Sequence, residues 1–302
     1  MKKISLSYAS LLIMIMLPAL PMAAQAQTLE HIHSTGTLRL GYVPDQAPFS
    51  AAGADKEPSG YAIDLARLIA DALKAKLGLS GLKVSFIPVS LESGLAMVSD
   101  GRIDMLCGAV SDTLERRKRV SFSIPIYSTG IGALLRRDAP HEMVRVLQGG
   151  PAFEGPLWRG TMHRALSRHT YAVHAGTDTE EWLRGRAKTL GVVATLVAVD
   201  DNTHGVKLVS DGNADAYFAD RVILEHYASP DRAGADLMIL DRYFTYEPLA
   251  FALPRADEDL RLLVDATLSG LYRSDRIVDI YRRYFGEPGD MTLKLFKIFA
   301  RR

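Results

Sequence analysis

Val98–Asp104 reads VSDGRID, and Val209–Asp215 reads VSDGNAD. Each copy closes an apolar helical stretch with polar residues and a glycine. Glycine just past a helix tolerates the left-handed conformation that stops it. Each copy then opens a short apolar run of strand length, Ile103–Val110 in one case and Ala214–Ala219 in the other. Both runs end on polar groups: Ser111 with Arg116 after the first, Asp220 after the second. In open α/β sheets, ligands bind beyond the carboxyl ends of the strands. Two such ends, one cationic and one anionic, suit a small zwitterion held between two lobes. VSDG is also a common helix–turn string, so the echo needs support from the rest of the chain.

Working outward, Thr37–Tyr42 (TLRLGY) alternates like a strand and Pro44–Phe49 is a turn-rich loop. Gly60–Leu79 places Ile63, Leu65, Leu68, Ile69 and Leu73 on one helical face. Leu82–Pro88 is a second strand, Leu91–Val98 a short helix and Ile103–Val110 a third strand. This β-α-β-α-β order predicts a mostly parallel sheet with helices on its faces. Tyr127–Arg136 (YSTGIGALLR) reads as a crossover strand into a second lobe. Asp138–Thr170 has few periodic apolar residues and is expected to be a surface excursion with one helix. Regular α/β structure resumes at Tyr171–Ala175, with Thr177 or Thr179 placed to cap a helix running to about Leu190. Val192–Val199, Thr203–Ser210, Ala214–Ala219 and Arg221–Ala228 then alternate strand and helix. Leu249–Leu253 (LAFAL) mirrors the first crossover, and a long helical tail from Asp257 to Phe285 returns to the first lobe. The expected division is residues 27–128 plus 250–302 in lobe 1 and 129–249 in lobe 2, with the excursion at 138–170. Two crossover strands make a hinge, and a cleft hinged this way can close around a ligand.

Composition narrows the function. At 302 residues, 48% apolar and 24% charged, the chain has the profile of a globular protein large enough for two lobes. The net charge of +1 includes Lys2 and Lys3 and falls slightly negative without them, which implies no nucleic-acid partner. Residues 1–26 read as a cleavable signal peptide: Lys2-Lys3 are the basic end, Leu11–Met22 the apolar core, and Ala24-Gln25-Ala26 the cleavage site. The apolar run is too short for a membrane span and contains Pro18 and Pro21. No cysteine lies near the cleavage site, so a lipoprotein is not expected. The mature chain should be soluble and exported. Cys107 is the single cysteine and sits in an apolar strand, so it reads as a buried small hydrophobe. His31 and His33 fall in what reads as a mobile start, and His163, His169 and His174 lack a ligand spacing, so no metal is expected. No phosphate loop, dinucleotide fingerprint, nucleophile elbow or zinc-protease motif is present, and no cofactor is implied.

Cys107–Tyr127 (CGAVSDTLERRKRVSFSIPIY) carries the most specific pattern. It has a strand ending in glycine, a hydroxyl residue, the string D-T-x-E-R, a basic run and then Phe-Ser. With Pro48-Phe49, Gly60–Leu65 (GYAIDL), Gly176–Thr179 (GTDT), Ala214–Asp220 and Tyr281–Gly286 (YRRYFG), it resembles the family 3 extracellular solute-binding proteins. These are the periplasmic substrate-binding components of bacterial ABC importers for polar amino acids. The resemblance covers nearly all of the mature chain, in order. It implies a two-lobe periplasmic-binding-protein fold of type II, an α/β architecture with two crossover hinge strands. It implies a free amino acid as ligand, an ABC permease in the inner membrane as partner, a monomer and no enzyme activity.

The resemblance also assigns the site. Arg116, at the start of a helix, would take the ligand carboxylate in its planar fork, helped by the Ser111 hydroxyl and by Ala109. Asp220 would accept from the α-ammonium, or cap the helix that begins at Arg221. Thr177, Asp178 and Thr179 present a second helix start to the carboxylate. The carboxylate at 178 departs from the family pattern, and it can point away or read a cationic side chain. Asp45, Leu91, His174 and Asn202 fall at expected side-chain contacts. The members that bind acidic amino acids carry arginines where Val43 and Gly132 stand here, so a polar or basic ligand is expected over an acidic one. Two rivals share the fold. One is a periplasmic cyclohexadienyl (prephenate or arogenate) dehydratase, for which Glu92, Asp178 or Glu180 would be the acid. The other is a sensor presenting its ligand to a membrane receptor.

Overall fold

The computed structural model describes residues 28–53, 57–151, 163–229, 231 and 236–302. The expected signal peptide lies outside these residues. The chain enters through α1 (Thr28–Thr35), which carries His31 and His33 in a regular helix rather than the mobile start expected. Ile32 anchors this helix in the core, which a scan for longer periodic stretches overlooks.

The first lobe continues with β1 (Thr37–Tyr42), β2 (Asp45–Gln46), β3 (Ser50–Ala52), β4 (Pro58–Ser59) and α2 (Tyr61–Leu77). After these come β5 (Lys83–Pro88), α3 (Leu91–Ser99), β6 (Met105–Ser111), β7 (Val120–Phe122) and β8 (Tyr127–Thr129). The second lobe runs β9 (Ile131–Arg136), α4 (His141–Leu147), β10 (Thr170–His174), α5 (Asp178–Leu190), β11 (Thr195–Val199), α6 (Asn202–Ser210), β12 (Ala216–Asp220), α7 (Arg221–Tyr227) and β13 (Leu237–Ile239). The chain then returns through β14 (Glu247–Pro254) to α8 (Glu258–Tyr272), α9 (Arg276–Phe285) and α10 (Asp290–Phe299).

One sheet has the order β5-β1-β6-β14-β7, with β8 also paired to β14. The other has the order β11-β10-β12-β9-β13. In the first, β5, β1 and β6 are parallel and β14 runs against them. In the second, β11, β10 and β12 are parallel and β9 runs against them. A strand buried on both faces alternates between two cores. Accordingly Cys107 and Ala109 of β6 face the core under α2 and α8, while Leu106 and Val110 face the one under α3. In β12, Ala216 and Phe218 face one core and Tyr217 and Ala219 the other. Cys107 is fully buried, as its sequence context predicts.

The VSDG echo proves to be one structural device used twice. Gly101 (φ 69°) and Gly212 (φ 76°) take the left-handed conformation after α3 and α6. The chain then turns into β6 and β12. There the Asp104 carboxylate accepts from the Arg39 N–H at 2.7 Å, and the Asp215 carboxylate from the Thr170 N–H at 2.8 Å. In return, the Asp104 N–H donates to the Arg39 carbonyl and the Asp215 N–H to the Thr170 carbonyl, each at 2.8 Å. Each copy therefore ties the helix–strand turn to the first residues of the neighbouring parallel strand.

Several local expectations are corrected. Arg116 lies in a three-residue 3-10 turn, Arg116–Lys118, not at the start of an α-helix. The predicted crossover strand Tyr127–Arg136 is broken at Gly130 into β8 and β9, one in each sheet. There the two crossing segments pass so closely that a Cβ on Gly130 would stand 1.8 Å from the Thr245 carbonyl oxygen. The 257–285 tail is two helices, α8 and α9, because the chain turns at Arg273–Asp275. The excursion contains α4, while its residues 152–162 lie outside the described ones. The basic C-terminus forms α10, whose Phe296 is buried against the first lobe and stacks on Tyr272.

Candidate functional site

The carboxyl ends of β6 and β12 face each other across the gap between the lobes, as parallel α/β topology dictates. β6 leads through Ser111 to Arg116. The Arg116 side chain is pinned by donating to the Ser111 carbonyl at 3.0 Å and is only 8% exposed. Its other terminal nitrogen crosses the cleft and donates to the Asp178 carboxylate at 3.3 Å. Asp178 is the first residue of α5, whose N-cap is Thr177; the Thr177 hydroxyl accepts from the Glu180 N–H. That hydroxyl also donates to the His174 carbonyl at 2.7 Å, so it serves the helix start.

At the end of β12, Asp220 occupies the N-cap position of α7, but its side chain makes no capping bond. Its Oδ1 is buried and has no hydrogen-bond partner among the described residues. An unpaired buried carboxylate oxygen is costly. Burial, reinforced by the Asp178 carboxylate and opposed by the Arg116 guanidinium, pushes Asp220 up to about 7.

Glu247, the first residue of β14, completes the arrangement and has no motif around it in the sequence. Its carboxyl accepts from the Thr245 hydroxyl at 3.3 Å and lies against Asp178, Asp220 and the Ser111 hydroxyl. Burial, and then Asp178 and Asp220, push it up to about 9, with Ser111 pulling the other way. Three carboxyl groups and one guanidinium therefore meet at the hinge side of the cleft.

A second bridge closes the far side. The Asn202 N–H and amide donate to the Asp45 carboxylate and carbonyl, each at 2.6 Å. The Tyr227 hydroxyl donates to Asp45 at 2.7 Å, and the buried Tyr217 hydroxyl donates to Asn202 at 2.6 Å. Asp45 comes from the first lobe, and Asn202, Tyr217 and Tyr227 from the second. Between the two bridges lies a cavity of about 30 Å³. Leu91, Ala109, His174, Thr177, Asp178, Thr179, Asn202 and Asp220 all line it. Gln46 lines it too, and its side-chain oxygen takes the Ala109 N–H at 3.1 Å. Gln46, Tyr227 and Glu247 carried no sequence signal; only a fold can bring them here.

Other candidates fall elsewhere. Glu92 pairs with Arg119 on an exposed surface, and Glu180 binds Arg184 and the Gly176 N–H. Both carboxylates are held below their usual range, chiefly by those arginines, which is wrong for a proton donor. Arg117 and Lys118 pair locally with Asp112 and Glu115. Among the described residues, no group of three His, Cys, Asp or Glu side chains could hold a metal ion. Nor is any helix among them long and apolar enough to cross a membrane.

Two α/β lobes joined by two crossings, with opposed charges across a closable cleft, define a two-lobe solute-binding protein. Residues 38–287 match the model of the bacterial extracellular solute-binding proteins, family 3, and the chain belongs to that family. Among curated relatives, an L-glutamate/L-aspartate-binding protein from Pseudomonas aeruginosa is 25% identical over 86% of this chain and 80% of its own length. Among solved structures, an ancestral amino-acid-binding protein described as a precursor of cyclohexadienyl dehydratase superposes with a TM-score of 0.68. It is 26% identical, over 85% of this chain and 99% of its own. A second structure of that ancestor, described as an ancestral cationic amino acid solute binding protein, matches at TM-score 0.61, again 26% identical over 85% and 99% of the two chains.

Proposed function

We propose that this chain is the periplasmic substrate-binding component of an amino-acid ABC importer, capturing a free amino acid by hinge closure and delivering it to an inner-membrane permease. Residues 1–26 act as the cleaved signal peptide, and the mature protein works as a soluble monomer rather than a lipoprotein. Lobe 1 comprises residues 27–128 and 250–302, and lobe 2 comprises 129–249. The observation that carries the reading is the placement of Arg116 and Asp220 on opposite sides of one cleft, with an unpaired buried oxygen on Asp220. Arg116 would take the α-carboxylate, assisted by Ser111, Thr177 and Thr179, and Asp220 would accept from the α-ammonium. Closure excludes water and strengthens each contact.

The Pseudomonas relative is named for glutamate and aspartate. The charges in this cleft favour a different ligand, polar or basic. Val43 is buried in the first lobe's core and Gly132 lies in β9, so neither position supplies a second cation. A thermal-shift screen of the twenty amino acids and common opines, followed by titration calorimetry, tests the reading. The Arg116→Ala variant should lose at least about a hundredfold in affinity, since a bidentate charge-assisted pair contributes about 3 kcal/mol or more. Unchanged affinity would sink the assignment.

The dehydratase alternative keeps one support, the Glu247 carboxyl, which burial and the neighbouring Asp178 push up to about 9. Release of phenylpyruvate from prephenate by the purified protein would replace the binding reading with an enzymatic one. Activation of a membrane receptor by the loaded protein, in place of importer-dependent uptake, would favour the sensor.

A further inference from the structure

The amino-acid reading places Arg116 on the ligand's α-carboxylate and Asp220 on its α-ammonium, so the rest of the cavity wall meets the ligand's side chain. Gln46, Leu91, His174 and Asn202 belong to that wall. Asp45, beside Gln46, holds Asn202 across the gap between the lobes.

We propose that Asn202, held by Asp45 and Tyr217, is a specificity-determining residue that limits the ligand to a short neutral side chain, of the size of alanine, serine or cysteine. The inference rests on the amino-acid reading and names the ligand class within it. Of the polar and basic ligands that the charges admit, the geometry selects the short neutral ones.

This part of the wall has its polar groups already committed. The Asn202 N–H and amide nitrogen donate to one Asp45 carboxylate oxygen at 2.6 and 3.2 Å, and the amide nitrogen also reaches the Asp45 carbonyl at 2.6 Å. The Tyr227 hydroxyl donates to the other Asp45 carboxylate oxygen at 2.7 Å. The Asn202 side-chain oxygen accepts from the Tyr217 hydroxyl at 2.6 Å. Both Asp45 oxygens and both ends of the Asn202 amide are therefore engaged within the protein. The ammonium or guanidinium of a long ligand reaches Asp45 only by displacing these donors. Stranding buried donors costs as much as a new bond returns.

The wall is also stiff. Asn202 is 3% exposed and Tyr217 is fully buried. The Tyr217 ring lies so close under α6 that a Cβ on Gly205 would stand 2.4 Å from it. An interior packed this closely does not yield to an inserted run of methylenes.

Volume points the same way. A cavity of about 30 Å³ accommodates about two water-sized groups. When the ligand's carboxylate takes Arg116, Asp178 withdraws, and its partly exposed side chain has solvent to turn into. That exchange makes room at the carboxylate end and none at Asn202. The Gln46 side-chain oxygen is taken by the Ala109 N–H, which leaves the amide nitrogen as the end that donates to a short side-chain hydroxyl.

Titration calorimetry with alanine, serine, cysteine, glutamine, lysine and arginine tests this. The three short amino acids should bind at least about tenfold tighter than the three long ones, a gap of about 1.4 kcal/mol. In Asn202→Ala the wall recedes, and the ratio of serine to glutamine affinity should fall at least about fivefold. Tyr227→Phe removes one bond to Asp45 but keeps the Asn202 wall, so the ranking should stay that of wild type. The wild-type ranking needs no variant, so the test stands even if Asn202→Ala folds poorly. Glutamine, lysine or arginine bound as tightly as alanine and serine overturns the inference and leaves the amino-acid reading standing. So does an Asn202→Ala variant that weakens every ligand by the same factor, or a changed ranking in Tyr227→Phe. Failure of every amino acid to bind would instead overturn the reading on which the inference rests.

Discussion

The Arg116 guanidinium of the first lobe donates to the Asp178 carboxylate of the second at 3.3 Å, so the group proposed to receive the ligand carboxylate already holds a carboxylate of the protein. The pair bridges the lobes and, on the proposed reading, competes with the ligand. Its partner bridge, Asp45 with Asn202 and Tyr227, closes the opposite side with shorter bonds. Domain closure in such a hinge is an equilibrium, and each interlobe bond biases it.

Removing the Arg116–Asp178 bridge should therefore open the ligand-free protein. At pH 5, below the raised values of Asp220 and Glu247, Asp178→Ala deletes an attraction and relieves little repulsion. A partly exposed pair of this length contributes about 1 kcal/mol, so the open-to-closed ratio should rise about fivefold. Small-angle scattering should show a larger radius of gyration for the variant than for wild type. Identical scattering would show that the Asp45 bridge alone holds the lobes.

The same cluster sets the pH dependence of stability. Asp220 and Glu247 have folded values raised to about 7 and about 9, above those of ordinary carboxyls. The folded state then binds more protons than the unfolded state, so stability falls as pH rises. The favourable contribution is complete near pH 4, fades through pH 7 as Asp220 ionises, and is lost through pH 9 with Glu247. Denaturant midpoints of the ligand-free protein should decline from pH 5 to pH 9. Asp220→Asn combined with Glu247→Gln should flatten that decline, and an unchanged slope would place its origin elsewhere.

The hinge depends on close backbone approach at Gly130. A methyl there meets a backbone carbonyl, that of Thr245, which cannot rotate away. The Gly130 carbonyl also accepts from the Arg221 N–H at 3.0 Å and ties the crossing to α7. Gly130→Ala should cost about 2 kcal/mol in stability by overpacking and weaken ligand binding by misaligning the lobes. A variant with wild-type melting temperature and affinity would show that the two crossings separate freely.

The twin VSDG turns should not be equally important. Asp104 is 2% exposed and also pairs with the Arg39 guanidinium at 2.6 Å, whereas Asp215 is 33% exposed and its other neighbour is His169. Asp104→Ala should cost about 2 kcal/mol, because it removes a buried carboxylate that holds both the Arg39 N–H and its half-buried guanidinium. Asp215→Ala should cost about 1 kcal/mol, the scale of one hydrogen bond. Urea midpoints that rank the two the other way would refute this account of the repeat.

Most of the scaffold was legible along the chain, because the signals that write it are short-ranged. The spacing of Ile63, Leu65, Ile69 and Leu73 marks α2, and the glycines at 101 and 212 stop α3 and α6. The apolar run ending at Val110 and the one ending at Ala219 lie inside strands buried on both faces. Arg116 and Asp220 were visible as charged residues following the two apolar runs, and the family resemblance added Asp178 at the start of α5.

What the chain alone determined was the alternation of strands and helices, the two crossings, and one charge of each sign at the ends of paired strands. Tertiary structure decided that Asp178 turns inward onto Arg116, that Arg116 belongs to a single 3-10 turn, and that Asp45 meets Asn202 and Tyr227. It alone brought Glu247 into the cluster. Periodicity and turn chemistry act over a few residues. Desolvation and the repulsion between buried carboxylates arise only when distant segments share a cleft.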